Sequence, residues 1–165
     1  MEKDFDETAP TTPPSSRARS SSHLDWLTGV AELIIANDAY TGGKFSDAVA
    51  GYSSAVGDLP AGVAQSNARI GLAMALAQTG KTSDAEASLR LLLNDPTQIK
   101  AIRCEAGYHL AALAVADGRG AEVQKLSEQV MQIDPSNPFS ERTFTIRPPL
   151  ASTLTVPGIG APSRP

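Results

Sequence analysis

The chain has one cysteine, two histidines and only 5% aromatic residues in its 165 positions. A lone cysteine, Cys104, excludes an intrachain disulfide and the stapled folds that depend on one. It sits in an apolar, helix-patterned run and reads as a small buried hydrophobe, not a reactive thiol. His23 and His109 are too few for a histidine-based metal cluster, so neither a metal nor a cofactor is expected. The apolar runs at 33–36 and 110–116 fall far short of the ~20 residues that span a bilayer. The acidic stretch Met1–Glu7 lacks the apolar core of a secretory signal. The expected location is the cytoplasm or the periphery of a membrane complex. With charged residues at 19% and a formal net charge of -4, no basic field draws the chain to nucleic acid.

The signatures of common enzymes are missing as well. There is no G-x-S-x-G and no G-x-G-x-x-G. Gly80-Lys81-Thr82 imitates the end of a phosphate-binding loop, but the glycine that should precede it falls within Met74-Ala75-Leu76 of a helix pattern. His109, beside Tyr108 and Glu105, reads as a histidine at the edge of a core. Asp84 and Glu86 read as solvent-facing acids at a helix N-terminus, where they suit the helix dipole. An enzyme is not expected.

Helical periodicity is abundant, and it divides the chain into three zones. Residues 1–22 combine acids, prolines, serines and Arg17 and Arg19, with few apolar groups to offset ordering entropy, so a flexible tail is expected there. Residues 23–134 carry six apolar helical patterns. The first is a stripe of Leu24, Leu27, Ala31, Ile34 and Ile35 ending in the polar Asp38. Residues 135–165 hold seven of the twelve prolines and no helical period, so an extended, Pro-rich tail is expected. Within it Thr143-Phe144-Thr145-Ile146 alternates as a strand does.

The breakers between the six patterns recur. Gly43-Lys44, Gly80-Lys81 and Gly118-Arg119 close the odd-numbered patterns at steps of 37 and 38 residues, while Pro60, Pro96 and Pro135 follow the even-numbered ones. A two-helix unit at a nearly constant period indicates an all-α stack of three helical hairpins, a short α-solenoid.

At this point the residues resemble tetratricopeptide repeats. The first repeat matches that family's pattern of small, aromatic and breaker positions at Ala36, Gly43, Phe45, Ala48, Tyr52, Ala55 and Pro60. The second runs Ala73, Gly80, Thr82, Ala85, Leu89, Leu92, with Pro96 one residue early. The third, Ala111, Gly118, Gly120, Val123, Ser127, Val130, Pro135, is degenerate. The resemblance covers about 112 residues and implies a non-enzymatic protein-interaction module, acting as a scaffold or accessory subunit. A chaperone for secreted or membrane-associated clients is the alternative. It also implies a concave groove lined by the first helix of each hairpin. In this register those positions are Leu33, Asn37, Tyr40, Asn67, Ile70, Met74, Glu105 and Tyr108. Such a surface suits an extended or helical peptide from another protein, or a neighbouring subunit, and leaves self-association open. The family's cationic clamp for acidic C-termini is not matched. Asn37 fits it, but Leu33, Gly71, Glu105 and His109 stand where its other polar and basic groups would be.

The tail offers a second contact surface through Phe139, Arg142, Phe144, Ile146, Arg147 and Leu150. Two readings are open for Pro138 to Ile146. It folds back to cover the apolar end of the last hairpin, or it pairs with a partner as an added strand or Pro-rich ligand. Beyond Pro148 an exposed ligand or disorder is expected.

Overall fold

The computed structural model describes residues 16–147, with side chains from Leu24 onward. They form seven helices: α1 Ser16–Thr41, α2 Phe45–Asp58, α3 Val63–Gln78, α4 Thr82–Asn94, α5 Lys100–Ala116, α6 Gly120–Ile133 and α7 Pro138–Thr145. No strand occurs among the described residues. The pairs α1/α2, α3/α4 and α5/α6 are three stacked hairpins, and each of these six helices packs chiefly on its neighbours in sequence. The all-α hairpin stack is therefore as the periodicity indicates.

The three glycines close the first helices in one and the same way. Gly43, Gly80 and Gly118 have φ of 75°, 83° and 71°, in the left-handed region that costs glycine nothing. The N–H of Lys44 donates to Ala39 O at 2.8 Å while that of Gly43 reaches Tyr40 O. Lys81 to Leu76 and Arg119 to Ala114 repeat the bond at 2.9 and 2.8 Å. This is a Schellman closure, which satisfies carbonyls that the helix end leaves open. The next helix then starts with an acid in its first turn, Asp47, Asp84 or Glu122, which suits the N-terminal dipole.

Small side chains let the paired axes approach. Ala36, Ala48, Ala55, Ala73, Ala85 and Ala111 are fully buried. Gly107 goes further, since a Cβ placed there would lie 2.3 Å from Val130 Cγ2. Larger groups fill the space between hairpins: Leu89, Leu93, Leu110, Val123 and Val130 form one buried cluster across the second and third hairpins. Cys104 belongs to it, fully buried, and burial pushes its thiol up.

Two expectations need correction. The helical zone does not begin at residue 23, because α1 starts at Ser16 and includes Arg17 and Arg19; residues 1–15 lie outside the described residues. The 135–165 segment is not extended throughout, because α7 occupies 138–145. Asn137 is its N-cap, accepting a bond from the Phe139 N–H at 3.0 Å, and Pro138 takes the first turn, where no N–H is missed. The alternation at 143–146 therefore yields to a helical face. Thr143 and Ser140 are buried, and Phe139 and Ile146 pack on the last hairpin's core. Residues 148–165, with Leu150, lie outside the described residues. In α1, Gly29, Leu33 and Ala36 meet α2, while the stripe from Leu24 to Ile35 lies on the other side of the helix.

α7 repeats the position of the earlier first helices. The starts of α3, α5 and α7, at 63, 100 and 138, are 37 and 38 residues apart. The turns before α5 and α7 also match. Thr97 N–H and Oγ1 bond Asp95 Oδ1 at 2.9 and 2.7 Å, and Ser136 does the same to Asp134 at 3.1 and 2.8 Å. Ser140 Oγ then donates to Asp134 O at 2.6 Å. The described chain thus ends in half of a fourth repeat, which covers α5 and α6.

On the second-helix side an ionic cluster ties the second hairpin to the third. Arg119 reaches Glu86, Glu122 and Asp117, while Arg90 reaches Glu86 and Glu122. Glu86 is thus mostly covered and paired, contrary to its expected free exposure. Its hydrogen bond raises the Arg119 pKa, and the bond from Arg90 holds Glu122 below the usual carboxylate range. A lowered carboxylate pKa contributes stability that is present above the unfolded value and lost as pH falls through the folded one. Arg119→Gln is expected to cost about 1 kcal/mol at low ionic strength and less in salt, the range for partly exposed networks. Urea melts at two salt concentrations check this. The loss should also shrink as pH falls below the unfolded glutamate range, and vanish once Glu122 is protonated in the folded chain as well.

Candidate protein-docking groove

Register and helix pitch bring one face of each first helix to a common surface. There a depression of about 360 Å³ is lined by Asn37 and Tyr40 of α1, Asn67, Ile70, Gly71 and Met74 of α3, and Glu105 and His109 of α5, with Tyr52 of α2. Six of the eight groove positions read from the sequence meet here: Asn37, Tyr40, Asn67, Ile70, Met74 and Glu105. The other two do not. Leu33 points between α1 and α2, packed on two buried clusters. Tyr108 lies against Phe139 of α7, ring centroids 5.7 Å apart, and so borders the cap.

The floor is apolar and fixed. Ile70 is buried, and Met74 packs on the main cluster. Tyr52 donates its hydroxyl to Asn37 Oδ1 at 2.6 Å across the first hairpin, and desolvation raises its pKa, so it stays a donor. Its ring also explains Gly71. A Cβ there would lie 2.4 Å from Tyr52 Cε1, so this point of the groove admits no side chain. Tyr40 stands edge-on to Phe45, centroids 5.4 Å apart, at the outer rim.

The polar groups are open to a ligand. The Asn67 amide makes no hydrogen bond among the described residues, and Asn67 is exposed. Glu105 has one near neighbour of opposite type, His109 Nε2 at 4.0 Å. Burial pushes the Glu105 carboxyl up and His109 down, so at neutral pH the imidazole carries no charge to offset the carboxylate. The site therefore presents amides and one uncompensated acid over an apolar floor. That arrangement can bind a peptide backbone and a cationic group; it holds no paired nucleophile and base.

Sequence reasoning missed Tyr52, Gly71 and His109 as lining residues. Tyr52 belongs to a second helix, and no spacing rule announced that its ring would reach under the first. Gly71 was legible only as the absence of a family residue. Larger depressions, about 710 and 770 Å³, lie around Val56, Leu72 and Leu91 and around the Arg90–Arg119 cluster. In the second of these Arg90, Arg119 and Glu122 already satisfy one another.

The tail positions divide. Phe139 and Ile146 face inward, with Arg142 stacked over Phe139 at 5.4 Å. Phe144 is exposed under Arg147, 4.2 Å from ring centroid to guanidinium carbon. Among the described residues no helix is long and apolar enough to cross a membrane, and no group of three or more His, Cys, Asp or Glu could hold a metal ion. The chain matches no protein-family model, no curated protein and no solved structure at a significant level.

Proposed function

We propose that this chain is a tetratricopeptide-type stack that binds another protein in its groove, without catalysis, as a scaffold or accessory subunit. The observation that carries this reading is the convergence of three hairpins on one surface, where Asn67 and Glu105 lack strong partners above a fixed apolar floor. The family resemblance gains support from burial: Ala36, Ala48, Tyr52, Ala55, Ala73, Ala85, Leu89, Leu92, Ala111, Val123, Ser127 and Val130 are all buried. The ligand that fits is an extended or helical peptide with apolar anchors and a lysine, arginine or amino terminus set towards Glu105.

The test is recovery of stoichiometric partners with the tagged full chain from cells that make it. Asn67→Arg and Met74→Glu should each reduce recovery by at least about tenfold, the size expected when an anchor is lost or a charge is placed in an apolar site. The melting curve of Asn67→Arg, at an exposed position, should stay close to that of the native chain, while Met74→Glu also loses packing on the main cluster and is compared with its own melt. A mixture of unfolded clients in place of one partner would move the reading to a chaperone. Recovery of the same proteins in the same amounts by both variants would remove the groove from the account.

A further inference from the structure

α1 carries apolar side chains on two faces. One packs on α2 through Gly29, Leu33 and Ala36. The other holds Leu24, Leu27, Ile34 and Ile35, which are 63%, 48%, 64% and 61% exposed. A helix that is apolar on both sides is built to sit between two neighbours; among the described residues α1 packs on α2 and makes only a minor contact with α3, and neither covers the outer stripe.

The repeat register identifies what is missing. The 37-residue step from Gly43 to Gly80 carries Ala31, Ile34, Ile35 and Asp38 onto Ala68, Gly71, Leu72 and Ala75 of α3. Those four face α2. Ala68 shares a buried cluster with Ala55 and Leu59, Leu72 and Ala75 pack with Tyr52, and Gly71 lies under the Tyr52 ring. The next step, of 38, carries Ala68 and Leu72 onto Ala106 and Leu110 of α5, which are buried with Leu89 and Leu93 of α4. At both internal junctions the preceding second helix covers this face. Before α1 no such helix stands among the described residues.

Charge and topology select the occupant. From Leu24 to its end α1 has Asp25, Glu32 and Asp38 and no lysine or arginine; its arginines lie more than a turn upstream. None of the three acids has an ion-pair partner among the described residues. A second copy stacked end to end would present α7, a first-helix position, and not the second helix that this face meets at both internal junctions. Two α1 stripes packed antiparallel would set the Asp25–Glu32 edge against its own copy, a like-charge contact.

We propose that the outer stripe of α1 docks one amphipathic helix of a partner protein. The apolar side of that helix takes the place α2 holds against α3, and its flanks carry lysine or arginine. The site is separate from the groove.

The probe is a synthetic helical peptide that keeps the apolar positions of α2 (Ala48, Tyr52 and Ala55) and Leu59 just past its end, and has lysine at the flanking positions. A control carries glutamate there. Anisotropy titrations with the full chain should give saturable binding of the lysine peptide, and binding at least about tenfold weaker for the glutamate one. Leu27→Glu/Ile34→Glu and the uncharged Leu27→Gln/Ile34→Gln should each weaken it by about tenfold or more. Both pairs replace exposed groups, so the circular-dichroism melt should be retained. Asn67→Arg should bind the peptide like the native chain. The proposal is overturned if neither peptide binds, if both bind alike, or if the stripe variants keep native affinity. Sedimentation showing a dimer that the same substitutions split would give the stripe to a second copy. Binding that appears only after removal of residues 1–15 or 148–165 would give it to this chain's own segment. Either result also overturns it.

Discussion

Thr143→Glu is expected to undock α7 and lower the melting midpoint by roughly 10 °C, on the scale of several degrees per kcal/mol for a chain of this size. Thr143 is fully buried, its hydroxyl bonded to Phe139 O at 2.6 Å. A carboxylate placed there without a cation would cost several kcal/mol, more than eight helical residues gain by docking. The helix therefore leaves, and the loss is capped at its net docking energy. Phe139 and Ile146 are partly buried, so each contributes less than the about 1.5–3 kcal/mol of a fully buried side chain, offset further by the entropy of ordering the segment. Limited proteolysis should then cut between 138 and 147. Phe144→Glu, at an exposed position of the same helix, should leave both the melt and the digestion pattern unchanged. A Thr143→Glu chain that melts with the native one would show that α7 is not part of the cooperative fold, and would return the tail to the ligand reading.

Gly107→Leu is expected to destabilise the chain by about 3 kcal/mol or more, because overpacking here cannot be relieved locally. The Cβ alone would meet Val130 Cγ2 at 2.3 Å and Leu93 Cδ1 at 3.3 Å, both in the main cluster. Helix propensity works the other way, since any residue but glycine gains up to ~1 kcal/mol in a helix interior. The sign of Gly107→Ala therefore reports which effect wins, and contact at 2.3 Å favours a loss. Pairing Gly107→Ala with Val130→Ala separates the two. The double variant should recover about 1 kcal/mol or more relative to the sum of the singles, as expected for side chains in direct contact. Denaturant midpoints of the four chains give that coupling. Strict additivity would mean that α5 and α6 are spaced too widely for the contact described.

The hairpins were legible because three glycines repeat one helix closure, and a left-handed closing residue leaves a mark in sequence that packing does not. α7 was half legible. Asn137-Pro138 is a sound helix start, and a 38-residue step from Lys100 lands on Pro138, but alternation at Thr143–Ile146 fitted two periods and the surrounding prolines favoured the extended one. Leu33 was placed in the groove by the register of the family resemblance, and α1, apolar on two faces, offered no periodicity that would have corrected it. The Tyr52–Asn37 bond joins residues whose spacing carries no signal; only the crossing of the two helices brings them together.

The recurring closure has a consequence for the length of the stack. The 37 residues from Val63 to Ile99 form a cassette that begins after one inter-hairpin turn and ends at the next. A copy inserted between Ile99 and Lys100 would meet α4 on one side and α5 on the other, both surfaces that already accept such a neighbour. No new kind of junction is needed. Hairpin number is thus an adjustable quantity in this architecture, and the reach of the bound surface would grow in whole steps while its two ends stayed as they are.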